Sequence, residues 1–456
     1  MTQLLEEKRI HLSNFKRFEK ESNGDAMPWL DELRRSGMAR FEQVGYPDDA
    51  DEHWRHTNLR PLVQTRFDLA TADASHEAID RANEYGLGSE ATSELVFVNG
   101  QYNATLSKAG KLPRGVICSS LAEAIESDGE RVRRHLARYA DIEANPFVAL
   151  NTSFVRDGAF LFVPRSVTVE QPIHLLFVDA GGASPTVSHP RVLIVAEENA
   201  EVTIVQTFVG AGGVHWANSV TEIVAADDSR VNFNRLQHET PQSFHVSTMQ
   251  ARLGRNSKFI SQSATLGGRV TRNDLNCVLA GEYAEATLNG LVILGGEQHC
   301  DNHTLLDHAA PNCPSHELYK HVLNDKSSAV FKGKILVRQI AQKTDSKQTS
   351  KALLLSDDAV MNSQPALGIY ADDVKCTHGS TTGPVDEDML FYLRTRGVDL
   401  AAARHLLTYA FAADITRRIG IEPFRRRLEN FMAEQAGLPQ DLRITDLGAP
   451  DEKHRT

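Results

Sequence analysis

The sequence predicts a mainly β protein in which a β-helix or β-solenoid core lies between two helical regions. Short β-type runs dominate residues 92–382, and Gly, Asp or Asn separates them before any run is long enough for a helix. A small residue recurs along this stretch at a nearly constant spacing, whereas both ends of the chain show helical periodicity. The clearest β-type runs cover 94–100, 147–155, 159–164, 173–179, 191–197, 201–208, 230–236 and 286–294.

The recurring small residue follows a polar turn, and the position two residues later is usually apolar. Its instances are spaced by 29, 28, 27, 44 and 31 residues and are Ala200, Ser229, Ser257, Ala284, Ser328 and Ala359. Stacked β-coils need such an advance, because each turn lies on the one before and the corners must be narrow. A sandwich or barrel with regular hairpins is the alternative. However, the Asn-Gly and Asp-Gly pairs of the chain mark no regular two-residue turn between the later runs. The pattern therefore favours the solenoid.

Both ends of the chain are predicted to be helical. Near the N-terminus, Trp29, Leu30, Leu33 and Met38 recur at the spacing of one helix face. The predicted units are an N-terminal helical domain, a β-helix core, a C-terminal helical domain and a polar tail, at 1–91, 92–382, 383–440 and 441–456.

In the C-terminal helical domain, two aspartates are placed to cap successive helices. Asp386 and Asp399 each precede a helical pattern and can accept hydrogen bonds from its first backbone N–H groups. Leu406 and Tyr409 lie on an apolar stripe of the second helix, so we expect them in the core.

Composition and charge restrict the function. With a net charge of −11, the protein repels a phosphate backbone, and we expect no nucleic-acid partner. No apolar run approaches the roughly 20 residues of a membrane-spanning helix, and the charged N-terminus has no apolar segment of a signal peptide. The five cysteines are an odd, sparse set that suits a reducing compartment. We therefore expect a soluble cytoplasmic protein without a membrane partner.

Motifs for nucleotide hydrolysis and for a nucleophilic serine are missing from the sequence. The Gly-Lys pairs at 110–111 and 333–334 lack the upstream glycine and the following hydroxyl of a phosphate loop. No G-x-S-x-G motif is present either. We expect a protein that is not an enzyme.

The richest polar stretch contains imidazole, thiolate and carboxylate groups, which are ligand types for iron and zinc. Its members are His299, Cys300, Asp301, His303, Asp307, His308, Cys313, His316 and His321. Their spacing matches no zinc-finger or zincin pattern. A metal site and a polar outer face or subunit contact are therefore both open.

A second constellation lies near the end of the predicted core. Cys376 and His378 are two residues apart, so a regular strand places both on one side. A thiol and an imidazole that project together can bind a soft or borderline metal, and the imidazole could lower the thiol pKa.

The segment around this pair closely resembles the C-terminal signature of the SufB/SufD family of iron–sulfur cluster assembly scaffold proteins. Four further stretches resemble the same family in the same order, so the resemblance covers nearly the whole chain. The five stretches are 54–62, 147–164, 301–313, 331–376 and 372–398.

Within the family, the chain resembles the SufD branch rather than the SufB branch. SufB-type chains place an essential cysteine in the turn where this chain has Ala359, and many have an early cysteine cluster, whereas the first cysteine of this chain is Cys118. The motif from Cys376 to Gly379 is similar to the SufD version of the closing motif.

The resemblance implies a right-handed parallel β-helix with helical domains at both ends. It implies a heterodimer with SufB that binds two copies of the ATPase SufC, docked on the C-terminal helical domain. A nascent iron–sulfur cluster would form at the SufB interface, where the family's histidine corresponds to His378. Cys376 is adjacent, and its role stays open. We expect Arg394, Arg396 and Arg404 on the ATPase-docking face.

Two functional hypotheses follow. The first is a scaffold subunit that captures iron through His378 while SufB supplies the thiolate and receives sulfur, with no cofactor bound tightly by the isolated chain. Whether a homodimer forms without SufB stays open. The second is a metal-dependent enzyme on a β-helix, with ligands from the 299–321 stretch. These candidate ligands are His299, Cys300, His303, His308 and Cys313.

Overall fold

Parallel strands stacked in two sheets form the centre of the computed structural model, which describes residues 2–22, 27–48, 50–182 and 184–435. Successive strands alternate between the sheets, and each pairs in parallel with the strand one turn later. This is the mainly β solenoid with helical ends that the sequence predicts.

Helices precede, interrupt and follow the strands along the chain. The described helices are α1 Thr2–Ser22, α2 Pro28–Val44, α3 Arg60–Val63, α4 His76–Tyr85, α5 Leu121–Ser127, α6 Gly129–His135, α7 Pro146–Ser153, α8 Glu387–Thr395, α9 Leu400–Thr416 and α10 Glu422–Gln435. The strands are β1 Asp68–Leu69, β2 Ser93–Val98, β3 Gln101–Tyr102, β4 Ile117–Ser120, β5 Gly158–Val163, β6 Ile173–Asp179, β7 Thr186–Ser188, β8 Arg191–Ala196, β9 Glu201–Gly210, β10 His215–Ala225, β11 Arg230–His238, β12 Phe244–Leu253, β13 Lys258–Thr265, β14 Val270–Leu279, β15 Glu285–Leu294, β16 His299–His308, β17 Pro314–Leu323, β18 Ser328–Val337, β19 Asp345–Leu354, β20 Val360–Ser363, β21 Ala366–Ile369 and β22 Lys375–Pro384.

One edge of the solenoid is closed once per turn by a residue in the left-handed backbone region. Each of these residues donates its backbone N–H to a carbonyl of the next turn, so the corners form a hydrogen-bonded ladder. The rungs are Asn199 to Asp227, Asp228 to Arg255, Asn256 to Glu282, Tyr283 to Pro311, Asn312 to Gln342 and Lys343 to Asp373. The buried residue that follows each one faces the narrow corner. This explains why the sequence repeats a small residue.

The first four residues of the predicted repeat lie at equivalent corners along one edge of the solenoid. The last two lie at the other edge. Ala284 belongs to the corner that leads into sheet B, the sheet that ends in β22, whereas Ser328 begins β18 in the other sheet, sheet A. The corner after Ala284 is occupied by Cys313 and then by Thr344, each directly after a left-handed residue. Both edges need narrow corners. The spacing of 44 residues between Ala284 and Ser328 is irregular because these two residues lie at opposite edges.

Helices cover the outer face of each sheet. On sheet A, helices α1, α2 and α7 pack through a cluster of aromatic side chains around the fully buried Trp216. Arg191 of β8 is fully buried and pairs with Glu222 at 2.6 Å, while it also donates to Asn151 and Thr152 of α7. The buried charge is tolerated there because it is paired with a carboxylate and both terminal nitrogens of the guanidinium donate hydrogen bonds.

On sheet B, helices α4, α9 and α10 pack on the outer face. Ile415, Phe424 and Leu428 are buried against Val205 and Leu291 of the strands. Asp386 and Asp399 cap α8 and α9 as predicted. Among the described helices, none combines the length and apolar character that crossing a membrane requires.

The buried face of α9 differs from the predicted one. Leu406 is 39% exposed, whereas Ala403, His405, Ala412 and Ile415 are buried. The helix is apolar around nearly its whole circumference, so its sequence carries little information about which side faces the sheet.

One predicted β-type run, 147–155, is wrong. Residues Pro146–Ser153 form α7, which lies with α5 and α6 inside the predicted core range. Asn145 caps it by accepting from the N–H groups of Phe147 and Val148, and Pro146 occupies the first turn. Because α7 is buried on all sides, its apolar pattern has no helical period.

The corner ladder allows a stability test at Tyr283. This tyrosine has a φ of 62° and a side chain that is 55% exposed, so its backbone is strained without compensating burial. We expect Tyr283→Asn to raise the free energy of unfolding by about 1 kcal/mol, because Asn tolerates this conformation. Tyr283→Ala removes the same ring and keeps the strain, and it should give no gain in urea unfolding. If both variants stabilised the protein equally, the gain would come from removal of the exposed ring and not from relief of backbone strain.

Candidate functional site: the open end of the solenoid

The last turn of the solenoid leaves an open end. β22 pairs with β19 along one edge, and no described residue pairs with its other edge. All ten residues of β22 are exposed or half-buried. A long unpaired edge is a template for another strand.

Apolar side chains are exposed around this end. Val360, Ile369 and Tyr370 are 49%, 40% and 68% exposed, and all three belong to the last turn of sheet A or the loop after it. An apolar rim beside an unpaired strand edge is typical of a surface that another protein covers.

Cys376 and His378 both face the interior of this last turn. In the parallel register they lie on Ser346 and Gln348, which are 1% exposed and point inward from β19. Cys376 is half-buried against the apolar core, and His378 is exposed. The two side chains thus project to the same side, as the spacing predicts, at the mouth of the solenoid.

A column of polar groups continues beneath His378. One turn below it lies Gln348, whose Nε2 donates to Glu317 Oε2 at 2.6 Å in the turn below that. Burial raises the pKa of Glu317 to about 7, so this carboxyl is partly protonated at neutral pH. Sequence reasoning missed Gln348 and Glu317. Their spacing of 30 and 31 residues from one member of the column to the next equals the repeat and could have revealed them.

The thiol of Cys376 is more accessible than the cysteine thiols buried in the core. Burial raises its pKa, so its thiolate is a minor species at neutral pH. Cys277, Cys300 and Cys313 are fully buried. Burial raises the pKa of Cys300 to about 12.

The polar stretch 299–321 does not converge on a common point. Strand alternation turns His299 and His303 outward, whereas Cys300 points into the core beneath the next turn. His321 is buried in sheet B, and His316 is exposed on that sheet's outer side.

The outward members of this stretch are engaged with the N-terminal region. Arg272 Nη1 donates to Asp301 Oδ2 at 2.6 Å, and the hydroxyl of Thr57 donates to the same oxygen. Burial disfavours the charged form of Asp301, yet the nearby arginine holds the pKa of this carboxyl far below its usual range. These side chains fix the segment around Thr57 to sheet A. The alternative of a metal-dependent enzyme that uses this stretch is therefore not supported.

Ala359, the position where the sequence resemblance leads us to expect a cysteine in the other branch of the family, has no thiol. Ala359 is 6% exposed and packs with Ala329 and Cys300 in a small apolar cluster at the corner before β20.

The C-terminal helices present a second exposed surface. Arg394, Arg396 and Arg404 are all exposed, and the guanidinium of Arg396 lies 5.2 Å from the centre of the Tyr392 ring. Phe391 is 70% exposed on the same helix. Arg404 also lines a groove of about 850 Å³ between α9 and the ends of the sheet B strands. The predicted basic contacts thus border exposed aromatic side chains that the sequence analysis did not select.

The comparisons with known proteins agree with this architecture. Residues 177–411 match a family model described as "SUF system FeS cluster assembly, SufBD core domain", and residues 6–175 match the "SufBD protein N-terminal region".

Curated relatives resemble the chain over most of its length. An iron–sulfur cluster assembly SufBD family protein of Synechocystis sp. is 32% identical over 87% of this chain and 89% of its own. The iron–sulfur cluster assembly protein SufD of Escherichia coli is 31% identical over 86% and 89%, and SufD of Bacillus subtilis is 26% identical over 88% and 92%.

Thiol labelling tests the placement of Cys376. We expect iodoacetamide to modify Cys376 before the other four cysteines in the folded protein, because the three fully buried thiols and Cys118 are shielded. The rate should rise about tenfold per pH unit from pH 7 to 8, since only the thiolate reacts and its pKa is raised. Peptide mass spectrometry assigns the modified site, and Cys376→Ser removes the fast phase. Faster labelling of Cys118 would contradict the arrangement.

Proposed function

Because the chain belongs to the SufBD family of SUF-system iron–sulfur cluster assembly proteins, we propose that it is a non-enzymatic scaffold subunit of the SufD branch. In this proposal it pairs with SufB through the open end of the solenoid and binds the ATPase SufC through its C-terminal helices. The observation that supports it best is the position of His378, a metal-ligating group at the mouth of an unpaired β edge.

The pairing surface follows from the last turn. A second β-solenoid can satisfy the free N–H and C=O groups of β22 and cover Val360, Ile369 and Tyr370 at the same time. SufB is the proposed partner because the family resemblance implies a SufB–SufD heterodimer. In the absence of SufB, two copies of this chain present the same surface to each other and could form a homodimer.

The imidazole of His378 is suited to iron capture. A neutral imidazole binds ferrous iron through one ring nitrogen without losing a proton. Cys376 lies two residues away, but its raised pKa makes it a poor thiolate unless a base accepts its proton, alone or as a metal binds the sulfur. We therefore assign the first thiolate to SufB and the nitrogen ligand to this chain. Iron and the nascent cluster are cargo rather than a resident cofactor.

The ATPase dock is assigned to α8 and the start of α9. Met389, Phe391 and Tyr392 are more than half exposed on a helix whose other side is anchored by the buried Leu390. Exposed aromatic side chains beside arginines are common among residues that dominate protein interfaces. Motion of the ATPase would reach the solenoid through Leu390, which packs on Leu353 of β19, the strand next to β22.

The cysteines suggest the compartment. All five lie in the described residues, and all are unpaired. Free thiols fit a reducing compartment, and we propose the cytoplasm.

The role of His378 can be separated from a structural role. We expect His378→Ala to lower cluster formation by the complex with SufB and SufC while leaving assembly of that complex intact, because the side chain is exposed and fills no core volume. His378→Cys should restore part of the activity, and Thr377→Ala, on the outward face of the same strand, should change nothing. Cluster yield is measured by absorbance and iron content. Dissociation of the His378→Ala complex in gel filtration would show a structural role instead.

Point variants test the ATPase dock better than truncation. Removal of residues from Pro384 onward would also expose the apolar face of sheet B that α9 and α10 cover. We expect Phe391→Ser with Tyr392→Ser to weaken SufC binding by at least about tenfold, or about 1.4 kcal/mol. Arg404→Glu should weaken it as well, and Tyr283→Ser, an exposed aromatic on the solenoid, should not. Unchanged SufC affinity in titration calorimetry for the double variant would place the dock elsewhere.

A further inference from the structure

A second group of potential metal ligands lies far from the open end, inside the solenoid. Asp179 ends β6, His215 begins β10, and Glu239 directly follows β11. All three side chains are buried, and one ligand atom from each lies within 4.8 Å of the others. Among the described residues, this is the one group of three that could share an ion.

The hydrogen bonds leave one side of each ligand free. Glu239 Oε2 accepts from Gln237 Nε2 at 2.5 Å and lies 2.9 Å from His245 Nδ1, whereas Glu239 Oε1 makes no hydrogen bond. Asp179 Oδ1 accepts from Ser188 Oγ at 2.8 Å. Each carboxylate is thus held through one oxygen while its other oxygen is available.

His215 is the most unusual member of the group. It is 1% exposed, and neither of its ring nitrogens makes a hydrogen bond of good geometry. Its Nε2 lies 3.4 Å from the free oxygen of Glu239. A buried imidazole whose nearest polar partner is a carboxylate oxygen 3.4 Å away loses the hydrogen bonds that it would make in water, so a native structure is expected to supply another interaction.

The surrounding groups fix the orientation of Glu239. Arg235 donates to His245 Nε2, and an arginine can only donate, so the proton of His245 is on Nδ1. His245 Nδ1 lies 2.9 Å from Glu239 Oε2 but makes no hydrogen bond of good geometry with it. Gln237 is thus the hydrogen-bonded outer partner of this carboxylate, of the kind that metal-ligating carboxylates generally have.

Two glycines let the backbone approach these ligands closely. A Cβ atom at Gly210 would lie 2.7 Å from Cε1 of His215, and one at Gly267 would lie 2.2 Å from the backbone oxygen of Glu239. A larger residue at either position would force the ligands apart. Glu239 also lines a groove of about 800 Å³ together with His238 and Gln242.

We propose that Asp179, His215 and Glu239 form a binding site for one divalent transition-metal ion, of the Zn²⁺ or Fe²⁺ class. One imidazole and two carboxylates are borderline-to-hard ligands that suit these ions and disfavour Cu(I), which prefers thiolates. The ion would join the ends of β6 and β11 to the start of β10 and so fix the corner between the two sheets. This site is separate from His378 and does not depend on the proposed function.

The opposing account is a set of buried ion pairs without metal. In that case a proton shared between Asp179 and Glu239 or carried by His215 would balance the charge. The two accounts differ in whether the folded chain binds one ion stoichiometrically at these residues.

Metal binding by the full chain tests the proposal. The chain is stripped with a chelator and titrated with Zn²⁺ in competition with a chromophoric chelator, and Co²⁺ is added separately to read the coordination from its visible absorption. We expect one saturable equivalent of Zn²⁺. Asp179→Asn and Glu239→Gln keep the side-chain shapes and should each weaken binding by at least about tenfold.

Two matched controls locate the site. His174→Gln removes another buried histidine that contacts a carboxylate, and His316→Ala removes an exposed histidine on the outer side of sheet B. Both should leave the affinity unchanged. Absence of a stoichiometric equivalent, or its loss in His316→Ala, would overturn the proposal, as would a Zn²⁺ affinity in Asp179→Asn and Glu239→Gln equal to that of the wild type. If these two variants do not fold, anomalous diffraction at the zinc edge from the wild-type crystal decides. The expected peak lies between Asp179 and Glu239, and a peak elsewhere overturns the proposal.

Discussion

A parallel β-strand has no hairpin partner of its own, so each strand of this protein depends on the next turn of the chain for its backbone hydrogen bonds. The first and last turns of the stack therefore each have a strand edge whose backbone groups stay unpaired unless another element covers them. The first turn is closed by antiparallel pairing of β3 with β2 and of β4 with β5, and Tyr102 and Val116 pack over its core. The last turn has no such cap among the described residues. This asymmetry makes the C-terminal end the surface that a partner is expected to cover.

The same stacking explains why chemistry collects in columns. In a strict parallel register, inward side chains of successive turns lie directly on one another, so Glu317, Gln348 and His378 form one line although they are distant in sequence. Polar residues inside a solenoid must satisfy one another along such lines. The group of Asp179, His215 and Glu239 combines such a line with a corner, because Asp179 and Glu239 lie two turns apart at the ends of sheet B strands and His215 comes from sheet A.

Much of the fold could be predicted because its signals are local or periodic. Asp386 and Asp399 cap helices where the sequence places them, and the corner residues from Ala200 to Ala284 follow the solenoid advance. Periodicity failed for α7, which is buried on all sides. It also failed to predict which face of α9 is buried, since Leu406 is exposed.

The candidate site was only partly predictable. Strand alternation was sufficient to place Cys376 and His378 on one side. The same alternation separates His299 from Cys300 in the polar stretch that composition alone suggested as a metal site. The corner group was not found, because Asp179 and Glu239, which lie two turns apart in sheet B, meet His215 of sheet A only after the turns have stacked.

The central claim is that the free edge of β22 is a pairing surface for SufB. Hydrogen exchange of the backbone amides of Lys375–Pro384, followed by mass spectrometry, tests it directly. In the isolated chain, amides on the free edge should exchange quickly, and addition of SufB should protect them while β15 at the centre of the sheet stays unchanged. If SufB binds and the β22 amides exchange as fast as before, the partner covers another surface and the account is contradicted.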